Sequence, residues 1–179
     1  MSDPLKFELT LYPDPLLRKV AEPVVRFDAE LSGIVEAMFA RMYASKGVGL
    51  AGPQVGLRKR ILVLNPSGEK AEELLLINPL ILARTGEPTV YEEGCLSFPG
   101  IYAEVTRPER CRVSAFDLSG QSSEREFAGF VSRIVQHEYD HLEGVLLVDR
   151  MSSADRLRHK AALEDLKRRF LRSTAVQAR

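Results

Sequence analysis

The stretch Gly129-Phe130-Val131-Ser132-Arg133-Ile134-Val135-Gln136-His137-Glu138-Tyr139-Asp140-His141-Leu142-Glu143 decides the fold. Phe130, Ile134, His137, Glu138 and His141 recur at helical spacing, which predicts a helix over 129–143 with these residues on one side. Within it, His137-Glu138-Tyr139-Asp140-His141 is an H-E-x-x-H sequence. Four residues turn a helix through about 400°, so both imidazoles project from one face, one turn apart, as two metal ligands would. Glu138 is angled to reach a water at that metal without ligating it, which suits a general base that later returns the proton to a leaving amine. The flanking Ile134, Val135 and Leu142 are apolar, so the face is expected to be buried, where ionisable groups at this density need a partner such as a metal.

Upstream, β-rich runs broken by turn residues occupy 60–64, 74–78, 81–84, 101–106, 110–117 and 123–127, and their close spacing favours antiparallel pairing. Asp28 precedes an apolar stripe of Leu31, Ile34, Val35, Met38, Phe39 and Met42, which predicts a capped helix over 29–44. Residues 5–27, punctuated by Pro13, Pro15 and Pro23, are expected to wrap the body as an extended arm with no regular element beyond a turn. Residues 45–56 hold four glycines and a proline, a composition that lets backbone approach a ligand closely. Downstream, 153–172 carries Leu157, Ala161, Leu166 and Phe170 among many charges, with Ser153 as a cap, and predicts a C-terminal helix. The fold class is α+β: antiparallel strands packed around a central metal-binding helix, with N-terminal and C-terminal helices.

The 179 residues suit one domain, 1–179, and equal numbers of basic and acidic residues, 25 each, leave no bulk charge for nucleic acid. No sequence-specific nucleic-acid partner is expected. No apolar run approaches the roughly 20 residues that span a bilayer, so no membrane partner is expected either. The opening MSDPLKFELTLYPDP has acidic and proline residues where a secretion signal would be greasy. Two cysteines, Cys95 and Cys111, suggest a reducing compartment rather than a disulfide framework.

A catalytic divalent metal keeps three protein ligands and one open position, so a third ligand is required. His159, beside Arg158 and Lys160, reads as a solvated residue of the terminal helix. Cys95 is the better candidate: in Glu92-Glu93-Gly94-Cys95-Leu96-Ser97-Phe98-Pro99-Gly100, Gly94 and Pro99 hold a non-repetitive backbone that could turn a thiolate inward. Cys111 lies mid-strand between two arginines and reads as a small buried hydrophobe. Gly47 and Gly49 are not followed by G-K-[ST], so a phosphate cradle has little support.

Three segments, Gly47-Val48-Gly49-Leu50-Ala51-Gly52-Pro53-Gln54, Glu93-Gly94-Cys95-Leu96-Ser97 and Gln136-His137-Glu138-Tyr139-Asp140-His141, resemble in this order the three motifs of peptide deformylases. The likeness extends over most of the chain, the proline-rich arm included. One departure is Gly52, where the family usually has a second alanine (G-x-G-x-A-A-P-Q); the glycine is expected to make the loop more mobile.

The resemblance implies a metallohydrolase that removes the N-formyl group from the formyl-methionine terminus of nascent polypeptides and releases formate. It implies that Cys95, His137 and His141 bind one divalent metal ion, Fe2+ in the cell with Zn2+, Ni2+ or Co2+ as substitutes, with Glu138 as base and then acid. The side-chain amide of Gln54 and the backbone N–H of Leu96 would donate to the oxyanion. Substrate would lie extended along the backbone of Val48, Gly49 and Gly94 as a strand edge. A methionine pocket would be lined by Tyr91, Phe130, Arg133 and Ile134, unless the Arg133 guanidinium snorkels to solvent. Arg107 is expected to pair with Glu93 and so orient the Cys95 loop, a surface position being the alternative.

The substrate emerges from the ribosome, and from Met151 onward eight basic residues stand against three acidic ones, so the C-terminal helix is a candidate ribosome contact; a solvated face is the alternative. All three motifs precede Met151, so a chain ending there is expected to keep its activity on short peptides. The opening residues do not read as a transit peptide, and a bacterial cytoplasm is the expected location. Two other classes compete: a zinc endopeptidase with Glu143 or His159 as third ligand, and a structural metal module that binds peptides by strand addition.

Overall fold

Asp28 caps the first helix of the computed structural model, which describes residues 5–177: its carboxylate accepts the Leu31 N–H at 3.1 Å. Helix α1 (Ala29–Ala44) follows and buries Leu31, Val35, Met38 and Met42, the centre of the expected stripe. Five strands then form one antiparallel sheet in chain order: β1 (Gly49–Ala51), β2 (Ile61–Leu64), β3 (Leu74–Gly94), β4 (Tyr102–Phe116) and β5 (Ser122–Ala128). Helix α2 (Gly129–Leu142) leaves β5 directly.

Successive side chains of a strand point to opposite faces, and β2 shows what that does here. Ile61 and Val63 join Leu31, Met38 and Met42 on the α1 side, while Leu62 and Leu64 join Ile134, Val135 and Leu142 on the α2 side. All four β2 residues are buried because the sheet is covered on both faces there. At roughly 1.5–3 kcal/mol per large aliphatic side chain buried, the second of these clusters is what fixes α2, and with it the histidines, against the sheet.

The hairpin of β3 and β4 departs from expectation. Four short runs were indicated over 74–117, yet each strand is continuous through its prolines. Register shifts fall between Ile77 and Leu80 and between Thr85 and Pro88, and Asn78, before Pro79, has a φ of 49°. Proline is tolerated at such irregularities because no ladder N–H is needed there.

The glycine stretch is also more regular than its composition indicates, forming β1 and a single 3-10 turn at Gly52–Val55. The expected mobility at Gly52 is not what the packing shows. A Cβ there would lie 2.4 Å from the Lys59 carbonyl oxygen and 3.0 Å from that of Leu57, and residues 52–55 are all buried. Glycine lets two backbone segments touch, which tightens the loop.

The arm matches its expectation, with one 3-10 turn at Pro15–Arg18. It touches both loops that matter: the Thr10 N–H donates to the Gln54 carbonyl at 2.7 Å and the Tyr12 N–H to the Ser97 carbonyl at 2.9 Å. The C-terminal segment is not the single helix expected. It forms α3 (Leu147–Arg150), α4 (Ser153–Arg158), capped by Ser152 rather than Ser153, and α5 (Lys160–Gln177). Leu163 and Leu166 of α5 join Met151, Phe98 and Ile101 in a third cluster, against which Cys95 packs, and the break at His159 lets α5 turn onto it. His159 is thereby half-buried, not solvated, and its Nε2 has no partner among the described residues. Among the described residues no helix is long and apolar enough to cross a membrane.

Candidate active site

Helical spacing on α2 brings His137 and His141 together with ring centroids 5.3 Å apart, and both are buried. Cys95 arrives from the loop after β3, its Sγ 3.2 Å from His141 Nε2. One donor atom from each of Cys95, His137 and His141 lies within 4.8 Å of the others, so the three could hold a metal ion. A thiolate with two imidazoles is a suitable donor set for zinc or a late first-row ion. His137 Nδ1 meets a carboxylate oxygen of Glu93 at 2.9 Å, which leaves Nε2 for ligation and fixes the ring's orientation.

Glu93 is buried at the centre of an ionic network. Arg107 grips it through both carboxylate oxygens, at 2.7 and 3.0 Å, as expected, and also donates to Asp140 at 2.9 Å. Asp140 in turn accepts from Arg150 at 2.5 and 2.9 Å. Burial alone would raise the Glu93 pKa, but the hydrogen bonds from His137 and Arg107 outweigh it and lower the carboxyl to about 2. Burial would likewise lower His137, yet its contacts with Cys95 and Glu93 hold it well above the usual imidazole range. His141, buried beside the His137 charge, is pushed well below that range.

Glu138 is 4% exposed, and its Oε2 has no hydrogen-bond partner among the described residues. Burial, reinforced by the negative charges of Glu93 and Asp140, lifts its carboxyl to about 7 against the opposing pull of His137 and Arg107. Gly49 faces it: a Cβ at that position would sit 2.5 Å from Glu138 Oε1 and 2.7 Å from an Ile134 methyl. Only glycine leaves the carboxylate room. Gln54 is buried on the 3-10 turn, its Oε1 accepting the Ala51 N–H at 2.7 Å and its Nε2 directed at Cys95 Sγ, 3.6 Å away. Leu96 follows Cys95, and its side chain packs over Gly47.

These groups open onto a cavity of about 720 Å³ whose lining includes Val48, Gly49, Gly94, Leu96, Phe130, Arg133, Ile134, His137 and Glu138. Two of the expected pocket residues behave differently. Tyr91 is 62% exposed and outside the lining; it shares the β3 face of Thr89 and Glu93, and its ring stacks on the Arg133 guanidinium at 5.0 Å. Arg133 does not snorkel: it is buried and turned inward onto Glu93. Tyr102 was not anticipated. It lines the cavity, and its ring fills the space that a Cβ on Gly94 would need, at 2.7 Å. Asp140 and Arg150 were also missed, although a buried aspartate three residues after His137 is a signal that a cation must meet it. Cys111 is fully buried in the sheet core.

The polypeptide deformylase family model matches residues 6–157. The chain belongs to that family. It is 41% identical to peptide deformylase 1B, chloroplastic, of Oryza sativa subsp. japonica over 96% of this chain and 66% of the relative. It is 48% identical to the peptide deformylase of Chromobacterium violaceum over 86% and 91% of the two chains. A crystal structure of peptide deformylase from Plasmodium falciparum superposes with a TM-score of 0.89 at 40% identity, covering 91% of this chain and 96% of that one. The chain thus spans a little under two thirds of the plant deformylase and most of the bacterial one. The alternative endopeptidase ligands are placed elsewhere: Glu143 pairs with Arg60 at 2.8 Å, and neither it nor His159 joins the Cys95, His137 and His141 group.

Proposed function

We propose that this protein is a metal-dependent amide hydrolase that removes the formyl group from the N-terminal formyl-methionine of nascent polypeptides and releases formate. One observation carries the reading: a buried carboxyl, lifted to about 7, lies beside a Cys95–His137–His141 donor group at the wall of a largely apolar cavity. A divalent ion bound by these donors supplies the Lewis acidity that makes water nucleophilic at neutral pH, and Fe2+ is our proposal, the thiolate–imidazole set admitting Zn2+, Ni2+ or Co2+ as well.

Glu138 takes a proton from the attacking water as the water oxygen bonds to the formyl carbon. It then returns the proton to the amine nitrogen as the C–N bond breaks, leaving formate and a free methionyl terminus. Gln54 Nε2 and the Leu96 N–H donate to the formyl oxygen as negative charge gathers there. The peptide extends along the backbone of Val48, Gly49 and Gly94, and its methionine side chain enters between Phe130 and Ile134 and the methylenes of Arg133. Unpaired thiols at Cys95 and Cys111 suit a reducing compartment such as a bacterial cytoplasm.

The basic side chains of α5 are our candidate ribosome contact, with Arg168 and Arg169 both paired to Asp165. Because Leu163 and Leu166 are buried behind the Cys95 loop, this contact is better tested by charge substitutions than by truncation at Met151.

The Glu138→Gln variant tests the central role. It should retain one metal ion per chain and lose at least about 10²-fold in formate release, the lower range for proton transfer. Loss of the metal, or turnover near that of the parent with metal present, would refute the assignment.

A further inference from the structure

Arg133 occupies a position that the family resemblance gives to the substrate pocket, yet four of its five guanidinium N–H groups are directed at the protein. Nη1 donates to Glu93 Oε1 at 2.7 Å and to the Val105 carbonyl at 3.0 Å. Nη2 donates to the carbonyl and hydroxyl oxygens of Thr89, at 2.8 and 2.9 Å. The guanidinium face carries the Tyr91 ring at 5.0 Å, and the residue is 7% exposed. Four acceptors take four of the five N–H groups and the Tyr91 ring covers one face, so a substrate could meet only the methylene stem and the Nε–H.

Those acceptors connect three elements. Arg133 stands on α2 one turn before His137, Thr89 lies on β3, and Val105 lies on β4. β3 runs on from Thr89 through Glu93 and Gly94 to Cys95. Glu93 Oε1 is shared by Arg133 and Arg107, which leaves Oε2 for Arg107 and His137. One planar fork therefore fixes the carboxylate that orients His137 and also ties the helix bearing both histidines to the hairpin bearing the cysteine.

We propose that the Arg133 guanidinium is a positioning group for the metal site, holding Glu93 against His137 and registering α2 on the β3–β4 hairpin, and not a charge that recognises substrate. The proposal rests on the Cys95, His137 and His141 reading above. Partners at one remove from a metal typically contribute about 10–100-fold in affinity or activity. Arg133→Met keeps an unbranched apolar stem at the cavity wall and removes the fork. Arg133→Lys returns a positive charge to Glu93 but cannot span Val105 and Thr89 as well.

The test measures Co2+ affinity by chelator competition, the Co2+–thiolate absorption, and kcat and KM on a formyl-methionyl peptide for both variants. Arg133→Met should bind Co2+ about 10–100-fold more weakly, with an altered absorption, a lower kcat and a KM within about twofold of the parent. Arg133→Lys should fall between the two. If Arg133→Met does not fold, the lysine variant decides alone. Parental Co2+ affinity and absorption in whichever variant folds, or a KM that rises while affinity holds, would overturn the proposal. Failure of the parent protein to bind Co2+ through Cys95 would instead overturn the metal-site reading on which it rests.

Discussion

Replacing Gly52 with alanine would restore the residue that the family pattern carries, and substitutions toward such a pattern commonly stabilise. The structure predicts the reverse. The new Cβ would stand 2.4 Å from the Lys59 carbonyl oxygen and 3.0 Å from that of Leu57, both backbone atoms that no rotamer change can move. Overpacking of this kind costs about 1–3 kcal/mol. Restricting the unfolded chain returns about 0.4–1 kcal/mol, so the variant should lose up to about 2.6 kcal/mol, with a midpoint of ~1.3 kcal/mol or ~3–5 °C in Tm at this chain length. Gly33 supplies the control, since it is exposed in α1 and a Cβ there meets nothing within 4 Å. Gly33→Ala should gain about 0.5–1 kcal/mol from helix propensity. Urea unfolding at fixed metal concentration reads both variants. A Gly52→Ala protein more stable than its parent, alongside the expected gain at Gly33, would refute the packing argument.

Acid should weaken the site through Glu93. Its folded-state carboxyl is held at about 2 against an ordinary 4.5, so its contribution to stability is whole above that ordinary value and disappears as pH falls from 4.5 through 2. Urea unfolding across this window should show a smaller pH-dependent loss in Glu93→Gln than in the parent, and identical pH dependence would contradict the network. The thiols should also separate cleanly. Cys95→Ala should abolish tight metal binding and turnover, whereas Cys111→Ala, in the sheet core, should leave each within about twofold; equal losses in a chelator-competition assay would undo the ligand assignment.

What the sequence makes legible here is what short-range spacing controls. The α1 stripe behind Asp28 and the two histidines four residues apart on α2 need no knowledge of the rest of the chain. The continuity of β3 was hidden because Pro79 and Pro88 read as breaks until the opposite strand shows the register shifts that accommodate them. Arg133 was read as facing a pocket or solvent because its acceptors, Glu93, Thr89 and Val105, are 28 to 44 residues away and meet only once the hairpin folds over α2. Gly52 was read from glycine's general freedom, when the deciding fact is a carbonyl seven residues further on.

The central claim is that a metal held by Cys95, His137 and His141 and a proton moved by Glu138 together cleave a formyl amide. Formate release from a formyl-methionyl tripeptide by anaerobically purified protein, measured before chelation, after chelation and after Fe2+ is returned, tests it most directly. The account predicts rapid formate release that ceases on chelation and returns with Fe2+, with the internal peptide bonds of the tripeptide intact. Formate release that survives complete removal of metal, or cleavage of the internal bonds without formate, would contradict it.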